Sequence, residues 1–156
     1  MNAIEYRFNN KKYLVRALTT EDYATKERQG RRKCKSQNTL STLGDALLRA
    51  ILVEQLMPRY DTSGDISKEK ATLEKNKMLP KIAKPWNLIK YIKKTQGEVN
   101  NLTKKSDKEM EQAEDTMLAN TFEAIIGAIY LDKKSFEETR NVVNTWYNKL
   151  TKNTLS

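Results

Sequence analysis

The chain has 156 residues, 38% hydrophobic and 31% charged, with five glycines and three prolines, the composition of a folded, helix-rich domain. It has no histidine and one cysteine, Cys34, which excludes imidazole bases, Ser-His-Asp and Cys-His triads, an intrachain disulfide and a Cys₄ zinc site. The net charge of +9 favours polyanions, and a catalyst built from this chain must use carboxylates, most naturally with a hard cation such as Mg²⁺.

No apolar run approaches the roughly 20 residues that span a bilayer. The opening "MNAIEYRFNNKK" lacks a signal-peptide core, so a cytoplasmic chain without membrane contact is expected. No repeat or low-complexity linker interrupts the sequence, and residues 1–156 read as one domain.

In chain order, "NKKYLVRALT" (10–19) places Leu14, Ala17 and Leu18 at helical spacing. "KERQGRRKCK" (26–35) follows, six basic residues around one acid, and reads as a mobile cationic loop. "NTLSTLGDALLRAILVEQLM" (38–57) predicts a long helix stopped by Pro58. Leu40, Leu43, Leu47, Ala50 and Ile51 form its stripe, widened by Leu48, Leu52 and Val53, so an interior position is expected. A turn at 61–65 leads into a charged helix, and Pro80 either breaks that helix or begins another. The polar stretch 96–113 reads as a mobile loop.

"MLANTFEAIIGAIYLD" (117–132) predicts the most buried helix. "SFEETRNVVNTWYNKL" (135–150) predicts a closing one, with a Ser135/Glu138 capping box and an apolar face of Phe136, Val142, Val143, Trp146, Tyr147 and Leu150. No segment reads as a strand, and the expected fold class is all-α.

Each of the two apolar helices carries a polar pair on one face: Ser41 with Asp45, four apart, and Asn120 with Glu123, three apart. Gly44 and Gly127 stand beside them, where a helix-interior glycine signals close approach by another backbone or a ligand. Buried carboxylates facing each other repel unless a cation lies between. The converging pairs therefore make sense as a divalent-metal cage split across two crossing helices. The same spacing also suits Asp45 capping a neighbour and Glu123 pairing with a Lys or Arg.

These stretches resemble the ribonuclease III family. "NTLSTLGDALL" resembles its signature N-E-R-L-E-F-L-G-D-x-x-L, and "LANTFEAIIGAIYLD" resembles L-A-D-x-F-E-A-L-I-G-A-I-Y-L-D. "NNKKYLVRALTTEDYATKE" is similar to its opening helix, and "GDISKEKATLEKNKMLPKIA" to its G-E-L-T-K-L-R-A segment, so most of residues 7–150 is covered in order.

The resemblance implies a homodimeric helical bundle that cleaves double-stranded or structured RNA with Mg²⁺, or with Mn²⁺. The family's four acidic positions fall on Ser41, Asp45, Asn120 and Glu123, so two acids remain, and the resemblance implies that Asp45 and Glu123 hold the metal with Asn120 as a neutral ligand or water anchor. Asn38 and Thr42 also replace the signature's opening Glu and its Phe. No double-stranded-RNA-binding domain follows the helical region in this sequence. RNA is then expected to contact Arg28, Arg31, Arg32, Lys33 and Lys35, with Lys104 and Lys105, and a dimer surface is expected along Asn38–Leu48. The alternative that the lost acids raise is a catalytically silent relative that binds structured RNA or scaffolds a ribonucleoprotein.

Overall fold

The side chain of Asn10 accepts a hydrogen bond from the Lys12 amide and starts α1 (Lys11–Ala17), and Thr20 accepts from the Tyr23 amide to start α2 (Glu21–Gln29). The computed structural model describes residues 4–75 and 78–154, and the side chain of Leu150 lies outside what is described. Six further α-helices follow: α3 (Asn38–Leu56), α4 (Ser63–Lys75), α5 (Met78–Ala83), α6 (Gln96–Thr103), α7 (Asp107–Lys133) and α8 (Phe136–Thr154). Two short 3₁₀ turns, Lys84–Trp86 and Leu88–Lys90, join α5 to α6. Among the described residues there is no strand, only an isolated bridge between Thr19 and Lys93. The fold is all-α, as the sequence predicts.

α7 is the axis of the bundle. Residues 124–129 are buried without interruption, so this part of the helix is surrounded on every side. Phe122, Ile125, Ile126 and Ile129 are fully buried, each worth about 1.5–3 kcal/mol relative to exposure. Phe122 stacks on Trp86 and tilts against Trp146, with ring centroids 5.6 and 5.4 Å away. Trp146 of α8 satisfies its indole N–H on the Ile4 carbonyl at 3.1 Å. At the far end of α7, the Asp132 carboxylate accepts from the Tyr6 hydroxyl and the Asn9 and Asn10 amides, each at 2.8 Å, and ties the N-terminal segment down.

Several expectations change. The stretch 96–113 is helical rather than a mobile loop: it holds α6 and the start of α7. Both begin with capping boxes, Thr95 with Glu98 and Ser106 with Glu109, which satisfy the first amides of an otherwise polar segment. α2 runs through Gln29, so the cationic stretch is part helix, part turn. Its turn is held by the Arg31 amide on Arg28 O (2.9 Å) and the Arg32 amide on Glu27 O (3.0 Å).

The inward stripe of α3 is Leu40, Gly44, Leu48, Ile51, Leu52 and Leu56, while Leu43 and Leu47 are half-buried and Ala50 is exposed. The stripe is turned because Gly44, with no side chain, allows the closest approach and so fixes which face meets α7. In α8, Val143 and Trp146 reach the core, whereas Phe136, its first residue, is 38% exposed. Ser135 accepts from the Glu138 amide at 3.2 Å, but the Glu138 carboxylate pairs with Lys133 instead of closing the box. Pro80 sits in the first turn of α5, where its missing N–H is tolerated.

Candidate active site

α3 and α7 cross with their backbones in contact at two points. A Cβ on Gly44 would lie 1.8 Å from the Glu123 carbonyl oxygen, and one on Gly127 would lie 2.2 Å from the Leu40 carbonyl oxygen. Only glycine fits at either point, the close approach that the sequence suggests. The contact sets the register of the two polar pairs. The Ser41 hydroxyl donates to Glu123 Oε2 at 2.9 Å, so the first pair touches the second.

Asp45 and Glu123 line one cleft of about 460 Å³, together with Arg49. Its apolar wall is Leu48, Leu52, Leu73, Met78, Leu79 and Pro80. Burial pushes the Glu123 carboxyl above the ordinary glutamate range. The Ser41 hydrogen bond opposes that shift, the charge of Asp45 adds to it, and the charge of Arg49 opposes it. Asp45 Oδ1 accepts from Arg49 Nε at 2.9 Å, an i,i+4 pair on the open side of α3. Asp45 and Glu123 thus line one cleft, but neither has the partner that the non-metal reading gives it: Asp45 pairs within its own helix, with Arg49, and Glu123 accepts from Ser41 rather than from a Lys or Arg.

The remaining predicted residues lie elsewhere. Asn120, one turn before Glu123, is exposed and is not among the residues lining the cleft. Asp115, which the sequence reading missed, does line it: buried on α7, it pairs with Lys84 at 2.9 Å, and that contact raises the lysine's pKa. Its signal was present as the α7 face 112, 115, 116, 119 and 123, read over two further turns. Among the described residues no three carboxylate, Cys or His side chains cluster as a metal cage. Of the acids in the cleft wall, Asp45 comes from α3 and Glu123 from α7, while Asp115 is paired with Lys84.

A second, wider cleft of about 1210 Å³ lies between α1, residues 28–35 and Lys93. Arg28, Arg31, Arg32, Lys33 and Lys35 line it, joined by Lys11, Lys12 and Arg16 of α1 and by Lys93, with no acidic residue in its wall. Arg16 anchors this wall to α3, donating to the Ser36 carbonyl at 3.0 Å and to the Thr39 hydroxyl. Two of its cations are tied to acids outside the wall: Arg28 to Glu21 at 2.5 Å and Arg32 to Glu27 at 3.0 Å. Lys104 and Lys105 follow α6 and are exposed, but they do not line this cleft. The α1 lysines and Lys93 were legible only as scattered charges, because the bridge from Thr19 to Lys93 is long-range.

A ribonuclease-III-like family model matches residues 10–150. The chain belongs to the ribonuclease-III-like family. Ribonuclease 3 of Shewanella pealeana is 34% identical over 144 residues, which is 91% of this chain and 56% of that protein. Ribonuclease 3 of Streptococcus equi subsp. zooepidemicus is 33% identical over 145 residues, 92% of this chain and 58% of that one. This ribonuclease-III-like chain thus spans a little over half the length of these curated relatives.

The nuclease domain of ribonuclease III from Campylobacter jejuni, solved in a study of structural flexibility in the region involved in dimer formation, superposes with a TM-score of 0.76. The two are 31% identical, covering 95% of this chain and 93% of that one. A second structure of that nuclease domain, at 2.2 Å resolution, gives a TM-score of 0.74. Among the described residues of this family member, no helix is long and apolar enough to cross a membrane.

Proposed function

We propose that this domain is an endoribonuclease that hydrolyses phosphodiester bonds in double-stranded or structured RNA. The observation that carries the reading is the placement of Asp45 and Glu123 in one cleft, across a helix crossing that admits no side chain at Gly44 or Gly127. In the reaction a water oxygen forms the new P–O bond, the P–O3′ bond breaks, and the proton ends on the leaving 3′ oxygen.

The residues present fit one hydrated divalent ion better than a protein-built cage. Two carboxylates from different helices face one space, and the burial and repulsion that raise Glu123 are what a cation between them would relieve. Asp45 and Glu123 would hold Mg²⁺ or Mn²⁺, and Asn120, exposed and outside the cleft wall, would not join them. The ion, when bound, supplies Lewis-acid charge and an acidified water. Ser41 orients the Glu123 carboxylate by donating to it and leaves the other oxygen for the site.

The cationic cleft would receive phosphates, following backbone shape rather than base identity. The exposed face of α3, carrying Asn38, Thr39, Thr42 and Ala46, is the surface offered to a second copy. Such a homodimer would place one cleavage centre at each strand of a duplex.

One observation favours the second reading, an RNA-binding scaffold without catalysis: Asp45 is already paired with Arg49, and Glu123 with Ser41. The deciding experiment is incubation of a long RNA duplex with the protein in Mg²⁺ and in Mn²⁺, beside Glu123→Gln. Cleavage by the wild type that is lost in the variant supports the enzyme. Binding without cleavage in either ion supports the scaffold.

A further inference from the structure

The site contains a cation of its own. Arg49 stands one turn after Asp45 on α3, donates from Nε to Asp45 Oδ1 at 2.9 Å, and lines the same cleft as Glu123. Ser41 donates to Glu123 but brings no charge. The two carboxylates and the guanidinium therefore leave the Asp45–Glu123–Arg49 group with one net negative charge, which attracts a divalent ion less than the carboxylates alone would.

A guanidinium is also the side chain best shaped for phosphate: planar, permanently charged, and provided with several N–H donors in a fixed fork. At 59% side-chain exposure it can reach a ligand entering from solvent. A backbone phosphate lying against a metal held by Asp45 and Glu123 would meet this group at once.

We propose that Arg49 is the built-in counter-cation of the carboxylate pair, competing with the divalent ion for Asp45 and turning to the scissile phosphate once the ion is bound. Part of the positive charge that a more acidic site would recruit as metal is thus carried by the protein. This rests on the nuclease reading above for its second half and on the cleft's geometry alone for its first. Donors aimed at charge that develops in the transition state act chiefly on the chemical step, so Arg49 would serve turnover more than affinity.

The test is a charge series at one position, Arg49→Lys, Arg49→Gln and Arg49→Glu, read first by calorimetric titration with Mn²⁺ alone. Affinity should stay near wild type in Arg49→Lys, tighten about tenfold in Arg49→Gln and about a further tenfold in Arg49→Glu, the scale of one unit charge beside a divalent ion on a half-exposed site. Asp45→Asn should weaken Mn²⁺ binding in the same assay. The second readout is single-turnover cleavage of a duplex at saturating Mn²⁺. There Arg49→Gln should be at least about tenfold slower, with its RNA dissociation constant within about twofold of wild type, and Arg49→Lys should recover part of the rate.

A flat Mn²⁺ series in a protein whose binding depends on Asp45 overturns the role of Arg49 and leaves the nuclease reading standing. A graded Mn²⁺ series with no loss of single-turnover rate overturns the transfer to phosphate. Absence of Mn²⁺ binding in every variant overturns this proposal and the metal reading together.

Discussion

At the crossing of α3 and α7 the chain leaves no room for a methyl group, and the acids there are placed by backbone contact. At the cationic cleft, nine basic side chains from α1, residues 28–35 and Lys93 surround open space, and such contacts as Arg28–Glu21 and Arg16–Thr39 are between side chains rather than between backbones. The first region sets geometry and the second sets charge. The proposed metal-dependent reaction needs its ligands held to within about 0.5 Å, whereas the proposed capture of a polyanion needs only positive potential over a broad surface. Rigid packing therefore underlies the carboxylates and looser turns underlie the arginines.

The sharpest way to break this contrast is to add one methyl group to each region. Gly44→Ala should destabilise the fold by about 3 kcal/mol or more, because the obstacle is a backbone carbonyl that cannot rotate away. Gly30→Ala, beside the cationic turn, meets its nearest atom at 3.4 Å with an ordinary helical φ of −76°. It should change stability by less than about 1 kcal/mol, in the stabilising direction. Urea unfolding of both variants measures the difference. A Gly44→Ala protein as stable as wild type would show that the crossing can open.

Next in size is the tether at the end of α7. Asp132→Ala removes an acceptor shared by Tyr6, Asn9 and Asn10 and should cost about 1–3 kcal/mol at pH 7. Burial raises the Asp132 carboxyl, but the hydrogen bonds from Asn10, Asn9 and Tyr6 outweigh that and hold it below the usual aspartate range. Its contribution is thus complete above the unfolded value, near 3.9, and is lost as pH falls through the lower folded value. The stability gap between wild type and variant should be constant from neutrality to about pH 5 and shrink in stronger acid.

Glu123→Gln should move stability the other way. The folded-state pKa of Glu123 is raised, so its stabilising contribution is present below the unfolded value and lost as pH rises through the folded one. At pH 7 the charged carboxylate therefore strains the crossing, and the neutral amide, still able to accept from Ser41, should stabilise by less than about 1 kcal/mol. The gain should vanish below about pH 4. A variant that melts higher while losing cleavage is the pattern of a residue kept for function. Equal stability at every pH would remove that argument.

Much of the crossing was legible in the sequence. Gly44 and Gly127 sit beside polar pairs in apolar helices, and helical spacing alone brings Ser41 and Asp45, or Asn120 and Glu123, onto one face. What stayed hidden was rotation. The stripe containing Leu43, Leu47 and Ala50 looked as apolar as the one that is buried, and only the glycine contact chose between them. The same ambiguity left Asn120 outside the cleft and concealed Asp115 within it. The stretch 96–113 is polar like a loop, and only its two capping boxes, which are local, mark it as helix. The cationic cleft was half legible. Density marked residues 26–35, but the partner wall depends on the pairing of Leu18 and Thr20 with Lys93, about 70 residues away, for which no local pattern exists.

The smallest expected effect on the fold is at the cationic cleft, and it separates binding from architecture. Arg31, Arg32 and Lys33 are exposed, and the Arg32–Glu27 pair, with its arginine 75% exposed, is screened by solvent. Replacing all three by Ala should therefore leave unfolding within about 0.5 kcal/mol of wild type. Duplex binding should respond differently. Removing one cation from a phosphate lowers the slope of log affinity against log salt by about 0.7–0.9, so removing three flattens it by roughly 2 to 3. The weakening should be nearly the same for every duplex sequence, since these side chains meet phosphates and not bases. Lys104→Ala with Lys105→Ala is the internal comparison: these exposed lysines lie outside the cleft wall and should shift the slope less. If the triple variant keeps both affinity and slope, the cleft is a solvated surface, and RNA reaches Asp45 and Glu123 from another side.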